Sequence, residues 1–303
     1  MKKIACLLPL FLIIFSATLK AQDKKPGTIW NSPFAYLGQQ PPGDTPIVFA
    51  QELLVDSGIV LGRVAFSKDG RSFYYAFARH WFDYRGTGVK QIRFDGKQWN
   101  KPAVIGTDIG CPTLSVDEKS LYFGGKGSTV WKSDKINGNW TTPTLWLQQP
   151  FGLYNFMPTR SGTYYVGSNG TGGDKKDYSS YDFCALTMKG GDTVIKSLGT
   201  PLNTTGFNGD FFIAPDESYI IVSAKETPTY ECELWISFRK KDKTWTEPVS
   251  LGDKINQGSA HRFGQYVSPD GKFLFYTKGT SENDCHFYWV RFDTLLKQLR
   301  PKA

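Results

Sequence analysis

Residues 267–278 read VSPDGKFLFYTK, and residues 66–77 read FSKDGRSFYYAF. Each has an Asp-Gly pair, a basic residue, then an apolar run. An aspartate at such a place bonds the backbone just ahead of it, and glycine accepts positive φ without steric cost, so the phrase spells a tight connection between two strands. The strand that follows is apolar at nearly every position instead of alternating. Both of its faces must therefore be covered by other structure.

Aligned on the apolar triplet after the turn, the phrase occurs five times: Phe73-Tyr74-Tyr75, Leu121-Tyr122-Phe123, Tyr164-Tyr165-Val166, Tyr219-Ile220-Ile221 and Leu274-Phe275-Tyr276. Four copies follow SKDGR, SVDEK, APDES or SPDGK, and the third follows only RSGT. The loose period suits a supersecondary repeat. Further along three repeats stands a second hairpin, FDGKQWNKP (94–102), INGNWTTP (136–143) and KKDKTWTEP (240–248). Its proline is tolerated on an edge strand and not in a central one. Four strands, apolar within and proline-tolerant outside, make one blade of an all-β propeller.

Closure is also legible. TPIVFA (45–50) precedes its repeat turn at the distance that EPVSLG (247–252) precedes the last one. The fifth repeat ends in RFDTLLKQLRPKA without an outer strand of its own. An N-terminal strand pairing with the last blade closes five blades; six is the alternative, although a sixth would need roughly 40 further residues.

SPDGKFLFYTK, APDESYIIVSA and WTEPVSLGDKIN (245–256) resemble the Pro-Asp type of WD-like repeat of TolB-like periplasmic propellers. The resemblance spans about residues 45–303 and implies the fold. It is silent on chemistry, because the motif residues build hairpins. Six blades are usual in that family, so a count of five departs from it.

The chain divides into a leader (1–21), an extension (22–44) expected to pack loosely or run over the surface, and the propeller (45–303). MKK, an apolar run and Leu19-Lys20-Ala21 compose a signal peptide. Cys6 precedes most of the apolar run, so export to the periplasm or medium as a soluble protein is expected, and not a lipoprotein. No other segment could span a membrane. A net charge of +8, three lysines of it in the leader, with no long basic block, speaks against nucleic acid.

The long, irregular segments alternate with the repeat turns and belong on the opposite rim, where a ligand would sit. His80, Trp81, Asp83, Arg85, Tyr154, Asp210, His261 and Arg262 are the candidate ligand-binding residues. His80, His261 and His286 share no metal-ligand spacing, and GGDKKD (172–177) lacks the order of a calcium loop. No metal or cofactor is expected. There is no G-x-S-x-G elbow, and DKTW (242–245) is only the tail of a sialidase Asp-box. The expected function is a monomeric, non-enzymatic module that binds a protein, peptide or glycan. The alternative is a glycosidase or lyase using rim carboxylates, which requires two carboxyls about 5–10 Å apart. Cys232 and Cys285 occupy matching places in neighbouring blades, about 10 Å apart where a disulfide wants Cα atoms within about 7 Å, and Cys111 and Cys184 have no evident reason to meet, so four free thiols are expected.

Overall fold

A computed structural model describes residues 27–54, 58–81, 85–170, 181–190, 192–204 and 208–302. The leader, and with it the expected signal peptide, lies outside the described residues. Five antiparallel sheets form a β-propeller. From the axis outward, the first blade consists of Ile59–Phe66, Ser72–Ala78, Gly88–Arg93 and Ala103–Thr107. The second has Ile109–Leu114, Ser120–Gly125, Thr129–Ile136 and Thr144–Gln148, and the third Leu153–Pro158, Tyr164–Ser168, Asp182–Lys189 and Asp192–Ser197. The fourth has Phe211–Ile213, Tyr219–Ala224, Glu233–Phe238 and Val249–Ser250. His261–Val267, Phe273–Ser281 and Asp284–Arg291 begin the fifth, and Ile47–Val48 completes it.

That closing strand pairs Ile47 with Trp289 and Val48 with Tyr288, antiparallel. Phe49 follows it into the first blade's interface with the fifth, its ring 5.0–6.3 Å from those of Phe66, Phe73, Phe275 and Trp289. The apolar triplets of the five repeats lie between blades, which is why neither of their faces could be polar.

The five repeat turns share one conformation. Gly70, Glu118, Gly162, Glu217 and Gly271 all have positive φ. Ser67 Oγ donates to Asp69 Oδ1 at 2.6 Å, and Ser268 Oγ to Asp270 Oδ1 at 2.7 Å. In the RSGT copy Thr159 stands where the others have Ser or Ala, and Gly162 N donates to its carbonyl at 3.2 Å.

The extension, expected to pack loosely or run over the surface, is anchored at two points: Ile29, Trp30 and residues 35–37 are buried, while Asn31, Pro33 and Phe34 are exposed. Trp30, Tyr36 and Leu37 join the core between the first and fifth blades. Trp30 Nε1 donates to Lys68 O at 2.7 Å and Tyr36 Oη to Asp270 Oδ2 at 2.5 Å, so this segment covers two repeat turns. Among the described residues, no helix is long and apolar enough to cross a membrane.

Candidate functional site

The innermost strands carry the feature that organises the axis. In the first, second, third and fifth blades this strand breaks register with its neighbour: between Leu61 and Ala65, Gly110 and Thr113, Tyr154 and Met157, Phe263 and Tyr266. At each break one residue is left-handed: Gly62, Cys111, Asn155 and Gly264. Such bulges bend a strand and re-aim its side chains.

Arg63, 1% exposed, is the side chain so aimed. Its Nη1 donates to Thr113 Oγ1 at 2.9 Å, Nη2 to Asn155 Oδ1 and to Phe211 O at 3.1 Å, and Nε to Gln265 O at 3.3 Å. One guanidinium from the first blade thus holds all four others, using a rigid fork of donors that no other side chain offers. Burial works against its charge, and the Asp210 carboxylate works for it.

Beside this hub, on the rim of the long loops, opens a cavity of about 480 Å³. Its wall is mainly aromatic and apolar: Tyr122, Phe123, Tyr154, Phe156, Tyr181 and Phe263 face it, together with glycines of the second blade. Lys126 and Asp210 are the ionisable residues of opposite sign among the described lining. Asp210 Oδ2 accepts from Gly264 N at 3.0 Å, which fixes the carboxylate. Tyr154 Oη donates to Asn208 O at 2.5 Å and Gly209 O at 2.9 Å. Burial, with Asp210 and Glu226 adding, raises the Tyr154 phenol well above its usual range, so it remains a donor.

The candidate residues divide. Tyr154 and Asp210 line the cavity. His261 stacks on Phe263 at 4.1 Å between ring centroids, with Trp81 edge-on at 5.3 Å and Tyr230 at 5.6 Å, so it stands behind the wall. Trp81 Nε1 donates to Cys285 Sγ at 3.0 Å. His80 and Arg85 are exposed on the same rim. Asp83 lies outside the described residues. Arg262 points into the protein, its five donors meeting the carbonyls of Ile255, Cys232, Ala260, Gln257 and Gly258. It staples two loops and has no donor left for a ligand.

Three residues were not anticipated together. Glu226, Cys232 and His261 bring a carboxylate oxygen, a thiol and a ring nitrogen within 4.8 Å of one another. All four cysteines of the described chain are free; Cys184, Cys232 and Cys285 are buried and Cys111 is partly so.

No family model matches the chain, and no curated protein matches it. The fold is that of β-propellers, and among solved structures the chain is similar to TolB from Acinetobacter baumannii. There the identity is 14% and the TM-score 0.47, over 77% of this chain and 54% of that one. It is also similar to a periplasmic gluconolactonase from Pseudomonas aeruginosa, at 12% identity and TM-score 0.43 over 72% and 65%. A third is an oligogalacturonate lyase from Vibrio parahaemolyticus, at 12% and 0.42 over 80% and 66%. The chain spans about half the length of the first. A fold does not fix a function, which has to be argued from the site.

Proposed function

We propose that this is an exported, non-enzymatic propeller that binds a protein or peptide on its long-loop rim, taking an apolar or aromatic side chain into the cavity beside the Arg63 hub. One observation carries it. The cavity has a largely apolar, aromatic wall and, among its described residues, a single carboxylate, Asp210. Apolar concave sites of this size with a few fixed polar groups suit recognition. Acid–base cleavage of a glycosidic bond needs a second carboxyl opposite the first. Export rests on the leader, and places the partner in the periplasm or outside the cell.

A peptide array and a glycan array probed with the purified mature protein, with product analysis of every glycan, test this. Peptides with an exposed aromatic residue should bind and be competed by the free peptide, and every glycan should be recovered unaltered. Turnover of a glycan or lactone that vanishes in Asp210→Asn would establish the enzymatic alternative instead.

A further inference from the structure

We infer that Glu226, Cys232 and His261 form a zinc site in the wall between the fourth and fifth blades. The case rests on how the backbone presents these three residues, and is independent of the ligand assigned to the cavity.

Glu226 follows the second strand of the fourth blade and Cys232 precedes the third. The loop between them closes on itself: Thr227 N donates to Glu231 O at 2.9 Å and Tyr230 N to Thr227 O at 2.9 Å. Its neck is further fixed by Lys225, whose ammonium meets Glu233 Oε1 at 3.1 Å. The two ends of the loop are therefore held side by side, with a carboxylate on one and a thiol on the other. His261 arrives from the fifth blade because Cys232 N donates to Ala260 O at 3.0 Å, which locks the strand entry against the loop. Arg262 reinforces the same junction through the carbonyls of Cys232 and Ala260. Three segments that are distant in sequence thus deliver one donor each, on backbones already ordered.

The donor set chooses the metal. Thiolate, imidazole and carboxylate together suit a borderline cation, and zinc takes S, N and O ligands at about 2.3, 2.0 and 2.1 Å. Tetrahedral ligands at those lengths lie about 3.5 Å apart, so atoms within 4.8 Å of one another need only side-chain rotation to close around an ion. Three protein donors leave one position for water or another donor. The sulfur is positioned by the Arg262 backbone, Cys232 Sγ accepting from the Arg262 amide at 3.2 Å and donating to the Arg262 carbonyl at 3.1 Å. The first of these bonds persists in the thiolate and the second is given up when the ion binds. Binding replaces the S–H bond with S–Zn and releases that proton to solvent.

The surroundings fit a support shell. His261 is fixed on three sides by Phe263, Trp81 and Tyr230, and two of those rings, Phe263 and Tyr230, also border the cavity. An ion here would stand in the wall of the ligand site.

The test uses the mature protein, reduced, freed of metal by a chelator and dialysed, then titrated with Co²⁺ as the spectroscopic substitute for zinc. One equivalent should bind with a thiolate-to-cobalt charge-transfer band in the near ultraviolet, and Zn²⁺ should displace it. Cys232→Ser should abolish that band. Glu226→Gln and His261→Gln, which preserve size, should each weaken cobalt binding about tenfold or more. Cys111→Ser should change nothing. Zinc should also raise the melting temperature of the wild-type protein and not that of Cys232→Ser. No charge-transfer band in a folded wild-type protein, or a band that survives Cys232→Ser, overturns the assignment.

Discussion

Replacing Arg63 by methionine tests whether one side chain couples the five blades. The substitution keeps the linear bulk and removes the fork. The stranding is partial: Phe211 O keeps a donor in Asn155 Nδ2 at 3.0 Å, and the Thr113 hydroxyl still donates to Cys111 O at 3.3 Å. Asn155 Oδ1 and Gln265 O lose the donor that Arg63 supplies. A buried acceptor left without a donor costs about 1–3 kcal/mol, so two cost about 2–6. Against this, the variant no longer buries a charge, which returns part of the loss. A net destabilisation of about 2–4 kcal/mol follows, or a fall in melting temperature of roughly 4–16 °C at about 2–4 °C per kcal/mol. Arg63→Lys keeps the charge and loses the planar fork, and should do no better than methionine. Equilibrium unfolding in urea measures it, as a lower midpoint at unchanged slope. Methionine melting at or above the wild type would show that the hub contributes no net stability.

Phe49→Ala removes a ring that is 1% exposed from the seam where the ring of blades closes. It should cost about 3–5 kcal/mol, measured by the same unfolding, and a loss under about 1 would mean the seam repacks. Two glycines separate strain from crowding: Gly271 and Gly264 have φ of +73° and +64°. A Cβ at Gly271 meets nothing within 4 Å, whereas one at Gly264 would lie 2.1 Å from Gly62 O. Gly271→Ala should cost about 1–3 kcal/mol and leave ligand binding intact, while Gly264→Ala should fail to reach the native fold; equal effects would refute the close approach of the two strands. Burial pushes the Cys184, Cys232 and Cys285 thiols up to about 12. Burial raises the Cys111 thiol as well, so at pH 8 all four should resist alkylation in the native protein and react in denaturant. Their folded pKa lies above the unfolded value of about 8.5, so the stability they favour is complete below pH 8.5 and declines as pH rises toward 12.

Much of the fold was legible because its signals are local. An Asp-Gly turn, the apolar triplet after it and a proline on the outer strand each act within a few residues, and the same chemistry recurs wherever the chain must make the same hairpin. Even the RSGT copy forms that turn, since Gly162 supplies the left-handed residue that Asp-Gly supplies elsewhere. The N-terminal segment misled for a related reason. Its composition reads as a linker, yet Trp30 and Tyr36 are placed by contacts with Lys68 and Asp270, far along the chain. The cavity wall was hidden in the same way: Tyr122 and Phe123 belong to an apolar triplet that any reading assigns to the core, and only the ring of blades leaves one side of them open.

Two arginines show why the site resisted sequence reasoning while the scaffold did not. Arg63 follows Gly62 in IVLGRVAF, a lone charge in an apolar strand, and that isolation was a usable sign of a special partner. Arg262 stands in a loop entry beside His261 and has the look of a rim residue. Both prove to be internal staples, Arg63 across the axis and Arg262 between the fourth and fifth blades. What separates them from ligand contacts is the set of acceptors that surrounds each one, brought by the inner strands for Arg63 and by two loops for Arg262, a property of convergence and not of spacing. The same convergence gives the axis a direction. Arg63 bridges all five blades below the cavity, and the segment carrying Trp30 and Tyr36 covers repeat turns on the opposite rim. Access from the long-loop side follows, so substitutions in the repeat turns should alter stability, and those around Tyr154, Asp210 and Tyr230 should alter recognition.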